Sequence, residues 1–242
     1  MNISNKCIYF ITLFLLGANA FAGDLSLTEQ LKQKAEMSKA KSSPEKLKIM
    51  ESAIEDLKKS NISKKALGVG SNAPNFTLPD VKRGMTNSAE LLKSGSLVIT
   101  FYRGGWCPYC NLQLHDLQKH LKEINALGAN LVAISPQTPD ASLSTVQKDE
   151  LSFYVLSDVG NTVAKKFGLV YKLPDDLKKL YKEFGIDLEK ANASHDWELP
   201  VSATYIVTPD NKIVFAHADP DYKKRAETKD ILAKLKELKK LK

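Results

Sequence analysis

Two cysteines three positions apart, Cys107 and Cys110, are the residues here whose type and spacing most clearly imply chemistry. They stand in Trp106-Cys107-Pro108-Tyr109-Cys110, directly after a glycine pair. Before them, Leu97-Val98-Ile99-Thr100-Phe101-Tyr102 is a continuous apolar run, as expected of a strand buried on both faces. After them, Leu114, Leu117, Leu121 and Ile124 share one helical face, and Gly128 stops the helix. A thiol at such a turn meets the unpaired N–H groups and the positive dipole end of the helix, which stabilise a thiolate. The thiolate attacks, and the second cysteine, one turn away, resolves the product. A structural disulfide would close too small a ring to constrain the unfolded chain much. Zinc would need more ligands, and His115 and His120 would lie roughly 140° apart around the helix axis. No metal and no cofactor is expected.

The elements that position this pair can be read from the rest of the chain. Its 242 residues are 43% hydrophobic and 26% charged, which excludes a disordered chain, a collagen and a coiled-coil rod. Three cysteines are too few for a disulfide scaffold. Residues 1–22 read as a signal peptide: Lys6, an apolar core from Cys7 to Leu16, then small residues up to a cut after Ala22 or Ala20. The core is too short to span a bilayer, and no later stretch approaches that length. Export to the periplasm or beyond is the expectation, and cleavage would leave only Cys107 and Cys110. In an oxidising compartment such a closely spaced pair points to use rather than to structure. The net charge is +7; Lys6 and the tail 222–242, with nine basic and three acidic residues, account for all of it. The body is neutral, so no nucleic-acid partner is expected.

Residues 23–67 form a helical extension, with Ser43 as N-cap, Pro44 in the first turn and a stripe of Leu47, Met50, Ile54 and Leu57 that packs on the domain. The domain spans 68–242. After the central strand and helix come strands at 131–134 and 153–156 and helices at 139–149 and 161–167. A polar, partly helical insertion follows at 174–197, then a hairpin of 203–207 with 213–216 and a basic amphipathic helix. The order describes an α/β protein with a mixed sheet flanked by helices.

The run Phe101-Tyr102-Arg103-Gly104-Gly105-Trp106-Cys107-Pro108-Tyr109-Cys110-Asn111-Leu112-Gln113-Leu114 resembles the peroxiredoxin-like branch of the alkyl hydroperoxide reductase/thiol-specific antioxidant family. Ala73-Pro74-Asn75-Phe76-Thr77-Leu78-Pro79-Asp80 is similar to that family's opening. Leu199 to Val207 is similar to its late strand, and Asp219-Pro220-Asp221-Tyr222 with Arg225 to the lead-in to its last helix. The resemblance covers roughly 68–240. It implies a thioredoxin-like fold, peroxide as substrate and a thioredoxin-like protein as reductant, and it leaves a homodimer open. Against the family's Pro-x-x-x-Thr-x-x-Cys, Arg103 replaces the proline, Cys107 the threonine, and Cys110 takes the peroxidatic place. Ser202 stands where the family carries an arginine. The same residues resemble thioredoxin's Trp-Cys-x-x-Cys, on which reading Cys107 attacks first.

Two functions follow. One is peroxide reduction through a Cys107–Cys110 disulfide, regenerated by an external dithiol. The other is disulfide exchange with exported proteins. A scaffold role for the extension leaves the cysteine pair unexplained. Arg103, Trp106, Pro108 and Tyr109 are the expected supporting residues: a charge, a rim aromatic, a turn that sets the potential, and a loop aromatic otherwise on the surface. His195 and Trp197 are expected in a solvated loop, and His217 as a packed residue.

Overall fold

Along the strand Ser96–Phe101, Leu97, Ile99 and Phe101 point to one side and Val98 and Thr100 to the other, and all are buried. A strand buried on both faces must lie mid-sheet with helices above and below. The computed structural model, which describes residues 25–240, has that arrangement. The segment 1–22, Cys7 included, lies outside the described residues.

The chain opens with helices α1 (Leu27–Lys41), α2 (Pro44–Lys59) and α3 (Ile62–Lys65). A hairpin of β1 (Thr77–Asp80) and β2 (Gly84–Asn87) follows, then α4 (Ser88–Lys93), β3 (Ser96–Phe101), α5 (Pro108–Lys119), α6 (Leu121–Ala126) and β4 (Ala129–Ser135). Next come α7 (Pro139–Lys148), β5 (Tyr154–Ser157), α8 (Thr162–Lys166), β6 (Val170–Lys172), α9 (Asp175–Glu183), α10 (Leu188–Asn192) and β7 (Glu198–Pro200). β8 (Ala203–Val207), β9 (Ile213–Ala218) and α11 (Thr228–Lys240) complete it. The main sheet has the order β2-β1-β5-β4-β3-β8-β9. β3, β4 and β5 run parallel, while β8, β9 and the β1–β2 hairpin are antiparallel additions.

The two sheet faces make two cores. Val98, Leu131, Ala133 and Ile206 meet Leu114 and Leu117 of α5, Ile231 and Leu235 of α11, and Leu27 and Leu31 of α1. Leu97, Ile99, Phe101 and Ile134 meet Phe76, Leu92, Val163 and Phe167 on the other face. A third, smaller core lies in the insertion, where Leu173, Leu177, Leu180, Tyr181, Trp197 and Leu199 receive Ile49, Met50 and Ala53 of α2. The extension therefore packs on the domain, as its stripe requires. Its caps are also as expected: Ser43 accepts from the Lys46 N–H, with Pro44 in the first turn.

Two expectations change. The helix after the cysteines is two helices, since His120 leaves helical geometry and its ring bonds to the Asp116 carbonyl at 2.8 Å. The insertion is not a solvated loop: β6 and β7 pair across its ends, and Trp197 is buried with its indole N–H on Glu189. His195 is exposed beside Glu189, and His217 is partly buried in β9, where burial lowers its pKa.

The extension joins the domain at Gly168, where the Leu67 N–H donates to the Phe167 carbonyl at 3.1 Å. Gly168 has φ +72°, and a Cβ there would lie 2.2 Å from the Lys65 carbonyl oxygen. Gly168→Ala is expected to cost about 2 kcal/mol or more in urea unfolding, from left-handed strain and displaced backbone together. A loss under 0.5 kcal/mol would mean that the junction is loose.

Candidate active site

β3 delivers the chain to the sheet edge, and Gly104 and Gly105 turn it into α5. A Cβ on Gly105 would fall 1.7 Å from the Thr145 hydroxyl, so only glycine lets the turn lie this close to α7. Cys107 is the N-cap of α5 and Pro108 its first residue. The Cys107 sulfur accepts from the Cys110 N–H at 3.4 Å, in the manner of a capping side chain. The two sulfurs are 2.7 Å apart with the Cys110 S–H donating to Cys107, and both residues are fully buried.

Two guanidinium groups flank them. Arg103 donates to the Cys107 sulfur at 3.4 Å and Arg225 to the Cys110 sulfur at 3.5 Å. Both arginines are buried, and among the described residues neither forms an ion pair with a carboxylate. Arg103 also donates to the Tyr181 hydroxyl at 3.0 Å. Its guanidinium lies 4.2 Å from the Tyr222 ring centre and 5.0 Å from that of Trp106. A third ring, Tyr109, meets Tyr222 edge-on at 5.3 Å.

The loop before α11 holds Tyr222 and Arg225 in place by turn chemistry. Asp219 accepts from the Asp221 N–H, and Asp221 in turn from the Lys223 N–H. Thr228, at the start of α11, donates to the buried Asp116 carboxylate of α5. This ties the loop to the helix that carries the cysteines.

The surroundings divide the two thiols. Burial opposes ionisation of Cys107, but the Cys110 S–H and the charges of Arg103 and Arg225 outweigh it and hold this thiol well below the usual range. Burial and the neighbouring Cys107 push Cys110 well above it. Arg103 stays charged, because the sulfurs and Tyr181 outweigh its desolvation. The site thus holds one thiolate and one thiol, already in contact.

The structure brings Arg103, Trp106, Cys107, Pro108, Tyr109 and Cys110 together as expected, with one change. Tyr109 is buried between Tyr222 and α1 rather than on the surface. No group of three or more His, Cys, Asp or Glu side chains fit for a metal occurs among the described residues. Sequence reasoning missed Tyr181 and the placement of Arg225. Ser202 is buried with an unbonded hydroxyl, and the positive charge at the second sulfur comes instead from the 219–225 loop. The Asp-Pro-Asp-Tyr turn followed by an arginine was the available signal.

Residues 69–216 match the AhpC/TSA family. The chain belongs to that family. Over 103 residues it is 32% identical to the Haemophilus influenzae protein assigned as peroxiredoxin bcp, covering 43% of this chain and 66% of that one. Peroxiredoxin Bcp of Escherichia coli K12 is 28% identical over 103 residues, 43% of this chain and 65% of that one. The chain thus spans just under two thirds of the length of these relatives. The crystal structure of peroxidoxin BcpB from Mycobacterium tuberculosis superposes with a TM-score of 0.56 at 20% identity, over 71% of this chain and 97% of that one. Peroxiredoxin Q of Xanthomonas campestris gives 0.52 at 18% identity, over 68% and 91%. These neighbours share the thioredoxin-like fold. The resemblance seen in the sequence is therefore a family membership.

The assignment of the thiolate makes a spectroscopic prediction. Thiolate absorbance at 240 nm in the reduced protein should persist as pH falls below the free-thiol value of about 8.5, and vanish only on crossing the lowered Cys107 value. Cys110→Ser, which keeps an O–H donor, should retain that transition, and Arg103→Gln should raise it toward a free thiol. A transition lost in Cys110→Ser and kept in Cys107→Ser would reverse the assignment.

Proposed function

We propose that the protein is a thiol peroxidase that reduces hydrogen peroxide or an organic hydroperoxide at Cys107. The observation that carries this reading is a buried thiolate between two guanidinium groups with its resolving thiol already in contact. The Cys107 thiolate attacks the terminal oxygen of the hydroperoxide. An S–O bond forms and the O–O bond breaks, giving a sulfenic acid and an alkoxide or hydroxide that takes up a proton. Arg103 lies at the sulfur where that negative charge passes to the leaving oxygen. Cys110 then attacks the sulfenic sulfur, with loss of water, to give the Cys107–Cys110 disulfide. Cys107 caps α5 and Cys110 lies in its first turn, so closing this disulfide leaves the helix hydrogen bonds beyond it in place.

A thioredoxin-like dithiol protein returns the pair to the reduced state. The signal-like residues 6–22 support export, so that reductant would work in the same compartment. Disulfide exchange with protein substrates is less well supported. Reduction by a dithiol protein is itself such an exchange, so burial of both sulfurs bears on both readings alike, and what favours peroxide is the buried thiolate with a second thiol already in contact.

The test is stopped-flow oxidation of the reduced 23–242 protein by hydrogen peroxide and cumene hydroperoxide. Thiols are titrated, and Trp106 fluorescence is followed. Wild type should lose both thiols in one turnover. Cys110→Ser should stop at a sulfenic acid on Cys107, and Cys107→Ser should react no faster than a free thiol. Sulfenic acid forming on Cys110 in Cys107→Ser would give the attacking role to Cys110. Arg103→Gln should slow the wild-type step about 100-fold, the usual effect of removing one donor to a developing charge. A wild-type rate equal to that of a free thiol would sink the peroxidase reading and favour disulfide exchange.

A further inference from the structure

A small cavity of about 30 Å³ lies between α2 and Arg103. A water molecule needs roughly 10–15 Å³ of such space, so there is room for a water or two, or for one small ion. Arg103, Tyr171, Tyr181 and Tyr222 line it, and Met50, Ala53 and other apolar side chains of α2, α9 and the loop before α11 close it. Among the described residues, no lining side chain is acidic. The Arg103 Nε–H has no acceptor, although the residue is buried. The Tyr181 hydroxyl accepts from Arg103 and keeps its own O–H to give. The Tyr222 hydroxyl reaches only the Met50 sulfur, at 3.8 Å, a weak acceptor that a stronger one would displace. The cavity therefore offers a positive charge and several donors, with almost nothing to accept from them. It shares Met50, Ile54, Arg103, Tyr181 and Tyr222 with a larger cavity of about 450 Å³ under α1 and α2. The lining of that larger space includes Lys39, Lys41 and Lys223 as well as Glu36 and Glu51.

The charge at the site changes when the cysteines react. In the reduced protein two buried guanidinium groups face one thiolate, and among the described residues neither is paired with a carboxylate. Forming the disulfide takes two electrons and one proton from the thiolate–thiol pair and leaves two neutral sulfurs. The site gains one positive charge, and Arg103 loses its counter-charge while still buried. An unpaired buried charge is costly, and a guanidinium does not shed its proton to escape the cost.

We infer that the small cavity is an anion site that fills when Cys107 and Cys110 form their disulfide, and that its occupant is one monovalent ion of chloride size. The inference rests on the disulfide of the reading above and not on peroxide as the oxidant. Three observations select this occupant. One negative charge is lost, so one monovalent anion restores the balance. The volume admits a halide and excludes phosphate, sulfate or a peptide carboxylate with its chain. The lining supplies a guanidinium and phenol O–H groups, the donors that suit a halide, and no competing carboxylate.

The consequence is a link between anion concentration and redox poise. An anion that binds the disulfide form and not the reduced form stabilises the disulfide by mass action. Chloride should therefore make the disulfide harder to reduce.

The test equilibrates the protein in a glutathione redox buffer and measures the ratio of disulfide to dithiol as chloride rises. Ionic strength is held constant with gluconate, which is too large for the cavity. The ratio should rise about tenfold when chloride exceeds its apparent dissociation constant about tenfold, a change of about 30 mV in the potential of the pair. Binding is read directly from broadening of the chlorine NMR line, which should occur with the disulfide protein, be reversed by bromide, and be absent with the reduced protein. Ala53→Leu fills the cavity from α2, Ala53→Val fills it in part, and Arg103→Gln removes the charge; urea unfolding confirms that each is folded. The chloride dependence should vanish in Ala53→Leu and Arg103→Gln and weaken in Ala53→Val. A ratio independent of chloride in wild type, with no broadening in the disulfide form, would overturn the proposal and leave water as the occupant. Equal broadening in both redox forms, or a chloride dependence that survives in folded Ala53→Leu, would overturn it as well. Because glutathione disulfide supplies the oxidant, a failure to react with peroxide would remove the peroxidase reading and leave the anion site standing. A cysteine pair that forms no disulfide in this buffer would overturn the inference.

Discussion

A buried guanidinium with no carboxylate partner is the constraint around which this site is organised. Removing a charge from water costs on the order of several kcal/mol unless it is paired and hydrogen-bonded. Arg103 is 4% exposed, and its counter-groups are the Cys107 sulfur, the Tyr181 hydroxyl and the faces of Tyr222 and Trp106. The only partner among these that can carry a full negative charge near neutral pH is the sulfur. Burial of the arginine and ionisation of the thiol are therefore one fact. Each charge lowers the cost of the other, and neither would be stable in that place alone.

Much of the remaining structure holds this pair together. The central strand brings Arg103 to the sheet edge, and two glycines turn the chain so that Cys107 caps the next helix. Arg225 adds a second positive charge from a loop folded by its own aspartates and tied to α5 through Thr228 and Asp116. The insertion contributes Tyr181 from a small core of its own, and α2 packs on that core. Elements far apart in sequence thus converge on two sulfurs.

The arrangement also separates two requirements of thiol redox chemistry. Attack needs a thiolate, and resolution needs a thiol within reach that does not compete for the charge. Here Cys110 donates its S–H to Cys107, which stabilises the thiolate and keeps the second sulfur in contact with it. On the proposed reading, the Cys107 thiolate attacks and Cys110 resolves.

The sequence by itself determined the closely spaced cysteine pair, its strand–turn–helix setting, the order of the central strands and the extension's apolar stripe. Each depends on local period or spacing, which adjacent residues report. Arg103 was visible as a charge beside the cysteines for the same reason. Tertiary structure decided the rest. Which thiol ionises depends on the direction of one S–H and on two guanidinium groups, one of them 115 residues beyond Cys110. The loss of the strand arginine at Ser202 was legible, but its replacement by Arg225 was not, because a contact between distant loops leaves no periodic trace. Tyr109 read as a surface residue because it follows the cysteine turn, and Trp197 because its neighbours are polar, yet α1 and the insertion core cover them. The cavity beside Arg103, Trp106 and Tyr109 exists only where α1 and α2 close over the loop. Its shape follows from packing between segments that sequence pattern describes one at a time.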